Sequence, residues 1–95
     1  MQEDDESPVE IPIGPELDLH SFQPRDVPSV VDEYVREAAA AGLTTVRIVH
    51  GRGHGIQRGI VQAALDRHAD VVAFRDDTQS HLGATIVQLK SRASR

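Results

Sequence analysis

The run His50-Gly51-Arg52-Gly53-His54-Gly55 is where this sequence is most chemically suggestive. Three glycines in five residues let a backbone take positive φ and come close to a ligand. A helix is expected to follow, and its first N–H groups carry partial positive charge, which makes the loop a ready anion site. Arg52, His54 and Arg58 add donors or cations. A second group lies upstream, in Leu17-Asp18-Leu19-His20, where a carboxylate and an imidazole stand two residues apart. On one strand such a pair shares a face with Cα atoms about 6–7 Å apart, a spacing that permits contact.

The glycine run is not a P-loop, because the lysine and hydroxyl of GxxxxGK[ST] are missing. Its last spacing is also wrong for the dinucleotide pattern GxGxxG. Two readings remain for it: a tight strand–helix turn without ligand, or a contact for phosphate or sulfate. His50 and His54 are four apart, but on a glycine loop that spacing sets no ligand geometry. With no cysteine in the chain, no metal site is expected from these residues. No cofactor is assigned; Mg²⁺ on Asp18 is the one candidate. His68 is read as the polar end of a helix and His81 as part of a loop.

These groups need elements to hold them. Leu17 to His20 alternates apolar and polar, a short half-buried strand. Val27, Val30, Val31, Tyr34, Val35 and Ala38 then mark one helix face, with Asp26 as N-cap, Pro28 in the first turn and Gly42 as the stop. Thr44–Val49 is a β-branched strand. Ile56 to about Ala69 is a second helix, with Ile60, Val61, Ala64 and Leu65 on one side. Val71–Phe74 and Ala84–Leu89 are further strands, joined by a polar 76–83 connection.

The order β-α-β-α-β-β holds two crossovers, which place three strands parallel with right-handed connections; the fourth, lacking a helix before it, runs antiparallel. The fold class expected is α/β: a two-layer sandwich with a four-stranded mixed sheet and both helices on one face. Alternation then puts Asp18, His20, Arg47, Gln88 and Lys90 on the open face. That face is either a solvated surface or a polar platform for phosphate and sugar. Aromatic residues are 3% of the chain, so base stacking on it is not expected. His20 and His50 close neighbouring strands, and their imidazoles are expected to meet at the sheet edge where α/β folds bind ligands.

Composition bounds the rest. Ninety-five residues, 39% of them hydrophobic, make one small domain. Residues 1–10 hold five acids and no base; without them ten carboxylates balance ten Lys and Arg, nine of which are Arg. The net charge of −5 therefore belongs to the N-terminal segment. Residues 1–15, with Pro8, Pro12, Gly14 and Pro15, are expected to form a disordered acidic arm, 16–90 the domain and 91–95 a tail. No apolar run is long enough for a membrane span, and no secretion signal is read at the N-terminus, so a cytoplasmic protein without membrane contact is expected. Oligomeric state is left open.

Three segments taken together resemble the small MutS-related (Smr) domain family: Leu17-Asp18-Leu19-His20, then His50-Gly51-Arg52-Gly53-His54-Gly55 with Arg58, then Gly83-Ala84-Thr85-Ile86-Val87-Gln88-Leu89. The family signatures are LDLH, HGxGxG and a late GATVVxL strand, and their order and spacing match over about 16–90. Ser21 stands where a glycine usually follows LDLH, and Ser80-His81-Leu82 where many members have a further glycine pair. The resemblance implies a fold similar to the C-terminal domain of bacterial translation initiation factor three, and binding of nucleic acid, DNA or RNA. It also implies endonuclease or nickase activity, carried over onto Asp18, His20, His50, Gly51, Gly53 and Gly55. Asp18 would orient His20 or hold a metal, His20 or His50 would act as general acid–base, and the loop amides with Arg52 would hold the phosphate. Arg47, His54, Arg58 and Lys90 are added as phosphate contacts. A non-catalytic nucleic-acid or ribosome-binding module and a small-molecule phosphate binder are the alternatives, and the acidic arm is a candidate autoinhibitor.

Overall fold

Apolar spacing shapes the two helices. In the computed structural model, which describes residues 13–51, 55–80 and 83–90, α1 spans Val27–Ala40 and buries Val27, Val31, Tyr34, Val35, Ala38 and Ala39. A 3-10 turn at Pro24–Asp26 leads into it. Asp26 sits at the N-cap position but makes no side-chain cap. The far end closes as a Schellman motif: Gly42, at φ 91°, donates its N–H to the Ala39 carbonyl, and Leu43 donates to that of Ala38. α2 spans Ile56–Arg67 and buries Val61, Ala64 and Leu65. It stops two residues before Ala69 because His68 turns extended, and its ring Nδ1 accepts the Asp70 N–H at 3.0 Å.

Strands β1 (Glu16–Asp18), β2 (Thr45–Val49), β3 (Val71–Asp76) and β4 (Ala84–Leu89) form one sheet in the order β1-β2-β4-β3. β1 and β2 are parallel, and β4 is antiparallel to both β2 and β3. Three parallel strands with one reversed strand make the mixed sheet expected, and the reversed β4 lies between β2 and β3. The parallel strands all end at the same edge, which collects Asp18, Val49 and Asp76.

Two strand limits differ from the sequence reading. β1 ends at Asp18 rather than His20, because the Asp18 carboxylate accepts the His20 N–H and so bends the chain out of the ladder. The turn is closed by the Phe22 N–H on the Leu19 carbonyl. β3 runs two residues past Phe74, with Arg75 opposite Ile86 and Asp76 opposite Thr85, after an irregular register between Val71 and Ala73. Asp76 reads as part of the polar connection, yet alternation places Arg75 and Asp76 on opposite faces of the strand.

One core lies between the sheet and both helices. Leu19, Val46, Ile48, Val87 and Leu89 meet Val31, Val35, Val61 and Leu65 in it. Full burial of each large aliphatic side chain contributes about 1.5–3 kcal/mol. Arg47, Gln88 and Lys90 lie on the other side, half-buried or exposed. Residues 13–15 also pack against the domain. Ile13 packs on the core, the Gly14 carbonyl accepts the Tyr34 hydroxyl at 2.6 Å, and the Pro15 carbonyl accepts the Arg47 N–H at 2.8 Å. Among the described residues no helix is long and apolar enough to cross a membrane.

Candidate functional site

Asp18 and His20 come together at the end of β1. Asp18 Oδ1 accepts the His20 backbone N–H at 3.0 Å and the ring Nδ1–H at 3.1 Å. The same turn that ends the strand thus fixes the ring. The backbone bond and then the ring bond hold the Asp18 carboxyl below its usual value of 3.8. The His20 side chain is 84% exposed and that of Asp18 57%. Among the described residues Nε2 of His20 makes no hydrogen bond, so an oriented imidazole presents a lone pair to solvent.

His50, one residue past β2, does the reverse. It is 7% exposed and points into the helix-covered side of the sheet. Its Nδ1 bonds the Gly51 carbonyl and its Nε2 bonds Thr85 Oγ1, both at 2.9 Å. The expected meeting of the two imidazoles does not occur. Asp18 is registered with Val49 on the open face, whereas His50 follows Ile48 and Thr85 on the covered one. One residue of offset in a pleated sheet sends a side chain to the opposite face.

The glycine loop is described at its two ends. Gly51 and Gly55 both have φ 82°, the left-handed region that favours glycine. The N–H groups of His50 and Gly51 both go to the Gly83 carbonyl, at 3.0 and 2.9 Å. The first loop amide is therefore capped within the protein. At the other end Gly55 is the N-cap of α2, and no side chain among the described residues caps that helix start. Arg52, Gly53 and His54 lie outside the described residues, as does His81.

The candidate phosphate cations have carboxylate neighbours. Arg58 forms a two-pronged pair with Asp76, Nε to Oδ1 and Nη2 to Oδ2, each 2.7 Å. This bond, with help from Gln62, holds Asp76 at about 2 against an ordinary 3.8. Arg47 on the open face bonds Asp77 at 2.7 Å and also Glu16. Lys90 is exposed past the end of β4. As for a metal at Asp18, no three His, Cys, Asp or Glu side chains converge on an ion position among the described residues.

Sequence reasoning missed Asp76, Gln62 and Thr85. Gln62 Nε2 donates to Asp76 Oδ1 at 3.0 Å and to Thr85 Oγ1 at 3.2 Å, linking the Arg58 pair to His50. A Thr directed at the core beside a strand-end acid was the available signal.

Comparison with known proteins agrees with the fold. The family model for the Smr domain matches residues 17–90. The chain belongs to the Smr domain family. The Smr domain of Thermus thermophilus MutS2 superposes with a TM-score of 0.75 at 34% identity, covering 81% of this chain and 99% of that one. YdaL, a stand-alone small MutS-related protein from Escherichia coli, gives 0.73 at 27% identity, covering 80% of this chain and 64% of that one. Endonuclease MutS2 of Caldicellulosiruptor bescii is 38% identical over 76 residues, 78% of this chain. That of Brevibacillus brevis is 38% identical over 77 residues, 79% of this chain. The chain spans about a tenth of the length of these curated relatives, so their shared part is the Smr domain alone.

Proposed function

We propose that this Smr domain binds nucleic acid and cleaves it as an endonuclease or nickase, with Asp18 and His20 as its acid–base pair. The observation that carries this reading is the exposed His20 ring, oriented through Nδ1 by Asp18 and open at Nε2. As base, Nε2 takes the proton of a water or a 2′-hydroxyl as its oxygen bonds to phosphorus and the opposite P–O bond breaks. The resulting imidazolium is stabilised by the Asp18 carboxylate. General acid–base help of this kind is worth about 10²–10⁴-fold. The start of α2, with no side-chain cap among the described residues, would hold the phosphate oxygens, since helix N-termini favour anions. The name of the MutS2 relatives, endonuclease, supports the reaction class. His50 has both ring nitrogens engaged and serves the loop rather than the substrate.

The test is incubation of supercoiled plasmid and of structured RNA with the wild type, Asp18→Ala and His20→Ala. Loss of cleavage in both variants is expected. Cleavage at the wild-type rate in both removes this mechanism.

The pairing of Arg47 and Arg58 with carboxylates favours a second reading, a non-catalytic module of modest affinity for nucleic acid or the ribosome. A mobility shift without any product in either substrate selects it. A flat dependence of log K on log salt contradicts both readings.

A further inference from the structure

We infer that Asp76, Gln62 and Thr85 are positioning residues, which lock His50 as its Nδ1–H tautomer and thereby fix the Gly51 end of the glycine loop. Donor and acceptor chemistry settles each bond in turn. A carbonyl oxygen only accepts, so at 2.9 Å the His50 Nδ1 must carry the proton given to Gly51. Nε2 of a neutral ring is then an acceptor, and Thr85 Oγ1 donates to it. The Thr85 hydroxyl has one proton, so its bond with Gln62 must be one it accepts. The Gln62 amide satisfies this only with its NH2 toward Thr85. Asp76 enforces that orientation, because the carboxylate accepts from the same NH2 and would face the amide oxygen if the group flipped. Arg58 bonds both Asp76 oxygens and makes no hydrogen bond to Gln62, Thr85 or His50. The protons therefore run one way, from Gln62 through Thr85 to His50 and on to the Gly51 carbonyl.

The consequence reaches the loop. Gly51 is held in the left-handed region with its N–H on Gly83 and its carbonyl on His50. Reversal of the tautomer would set a bare Nδ1 against that carbonyl, lone pair against lone pair, and release it. This inference rests on the proposed reading only in taking the loop as part of the nucleic-acid site. The relay itself stands or falls without any substrate.

The experiment is a ¹H–¹⁵N correlation of the imidazole nitrogens in ¹⁵N-labelled full-length protein at neutral pH. The wild type is expected to show a pyrrole-type Nδ1 and a pyridine-type Nε2 for His50. Asp76→Asn gives the Gln62 amide a partner in either orientation, although residue 76 never touches His50. The expected result is pyrrole character appearing at Nε2. Gln62→Met, which removes the amide altogether, is expected to give a mixture of both tautomers and serves if the Asp76 variant does not fold. Arg58→Ala leaves the Gln62 clamp and is expected to keep the wild-type pattern. An Nε2–H ring in the wild type, or a wild-type pattern in both Asp76→Asn and Gln62→Met, overturns the inference. Loss of the cleavage reading would leave these spectra unaffected, so the two failures are distinguishable.

Discussion

His20 and His50 follow the C-terminal ends of adjacent parallel strands. The first ring stands in water, held by one carboxylate two residues away in the chain. The second is buried and held by a threonine 35 residues away, itself tied to Gln62 and Asp76. A single residue of pleat separates these fates. An imidazole with one nitrogen held and one open can move a proton. An imidazole with both nitrogens held in a dry setting works as a bracket. Residue type and position at the sheet edge are the same; the face decides the role.

Substitution can break the comparison. The largest effect is expected at the exposed pair. His20→Ala should lower the cleavage rate by about 10²–10⁴-fold and leave the urea midpoint nearly unchanged, since exposed substitutions usually stay within about 0.5 kcal/mol. His50→Ala should do the opposite to stability, costing about 1–3 kcal/mol in urea unfolding because the Thr85 hydroxyl and the Gly51 carbonyl each lose their partner. A destabilising His20→Ala together with a neutral His50→Ala would reverse the two roles.

Smaller effects sharpen it. Among the described residues Gly51→Ala meets no steric neighbour, so its expected cost is that of the left-handed φ, about 1–2 kcal/mol, read from the same unfolding curve. Acid should weaken the bracket. Asp76 has its folded value lowered to about 2 from 3.8, so its contribution is fully present above 3.8 and is lost as pH falls toward 2. Urea midpoints measured between pH 5 and 2 should fall less steeply in Asp76→Asn than in the wild type. Asp18, also lowered, acts in the same direction. The smallest effect is expected from deleting residues 1–12. If the acidic segment covers the site, affinity for an oligonucleotide rises; an unchanged affinity disposes of that role.

The fold was legible because its signals are local. Apolar periodicity marked α1 and α2, the β-branched run marked β2, and the missing helix before β4 implied its reversal. Asp18 and His20 were legible as a pair for the same reason, two residues on one short segment. The fate of His50 was not. Its distant partner, Thr85, comes from β4 and is tied through Gln62 on α2 to Asp76 on β3, and spacing along the chain says nothing of a bond across 35 residues. Arg58 looked like a free cation six residues past Arg52, and only the extension of β3 to Asp76 shows what it meets. Charged neighbours such as Arg75 and Asp76 hide a strand end when alternation gives the two opposite faces to serve.

Cleavage of supercoiled plasmid and structured RNA by His20→Ala beside the wild type bears most directly on the division of labour between the two rings. Folded His20→Ala protein that leaves both substrates intact, while wild type cuts one of them, is the result predicted. Equal cutting by the two proteins contradicts the account.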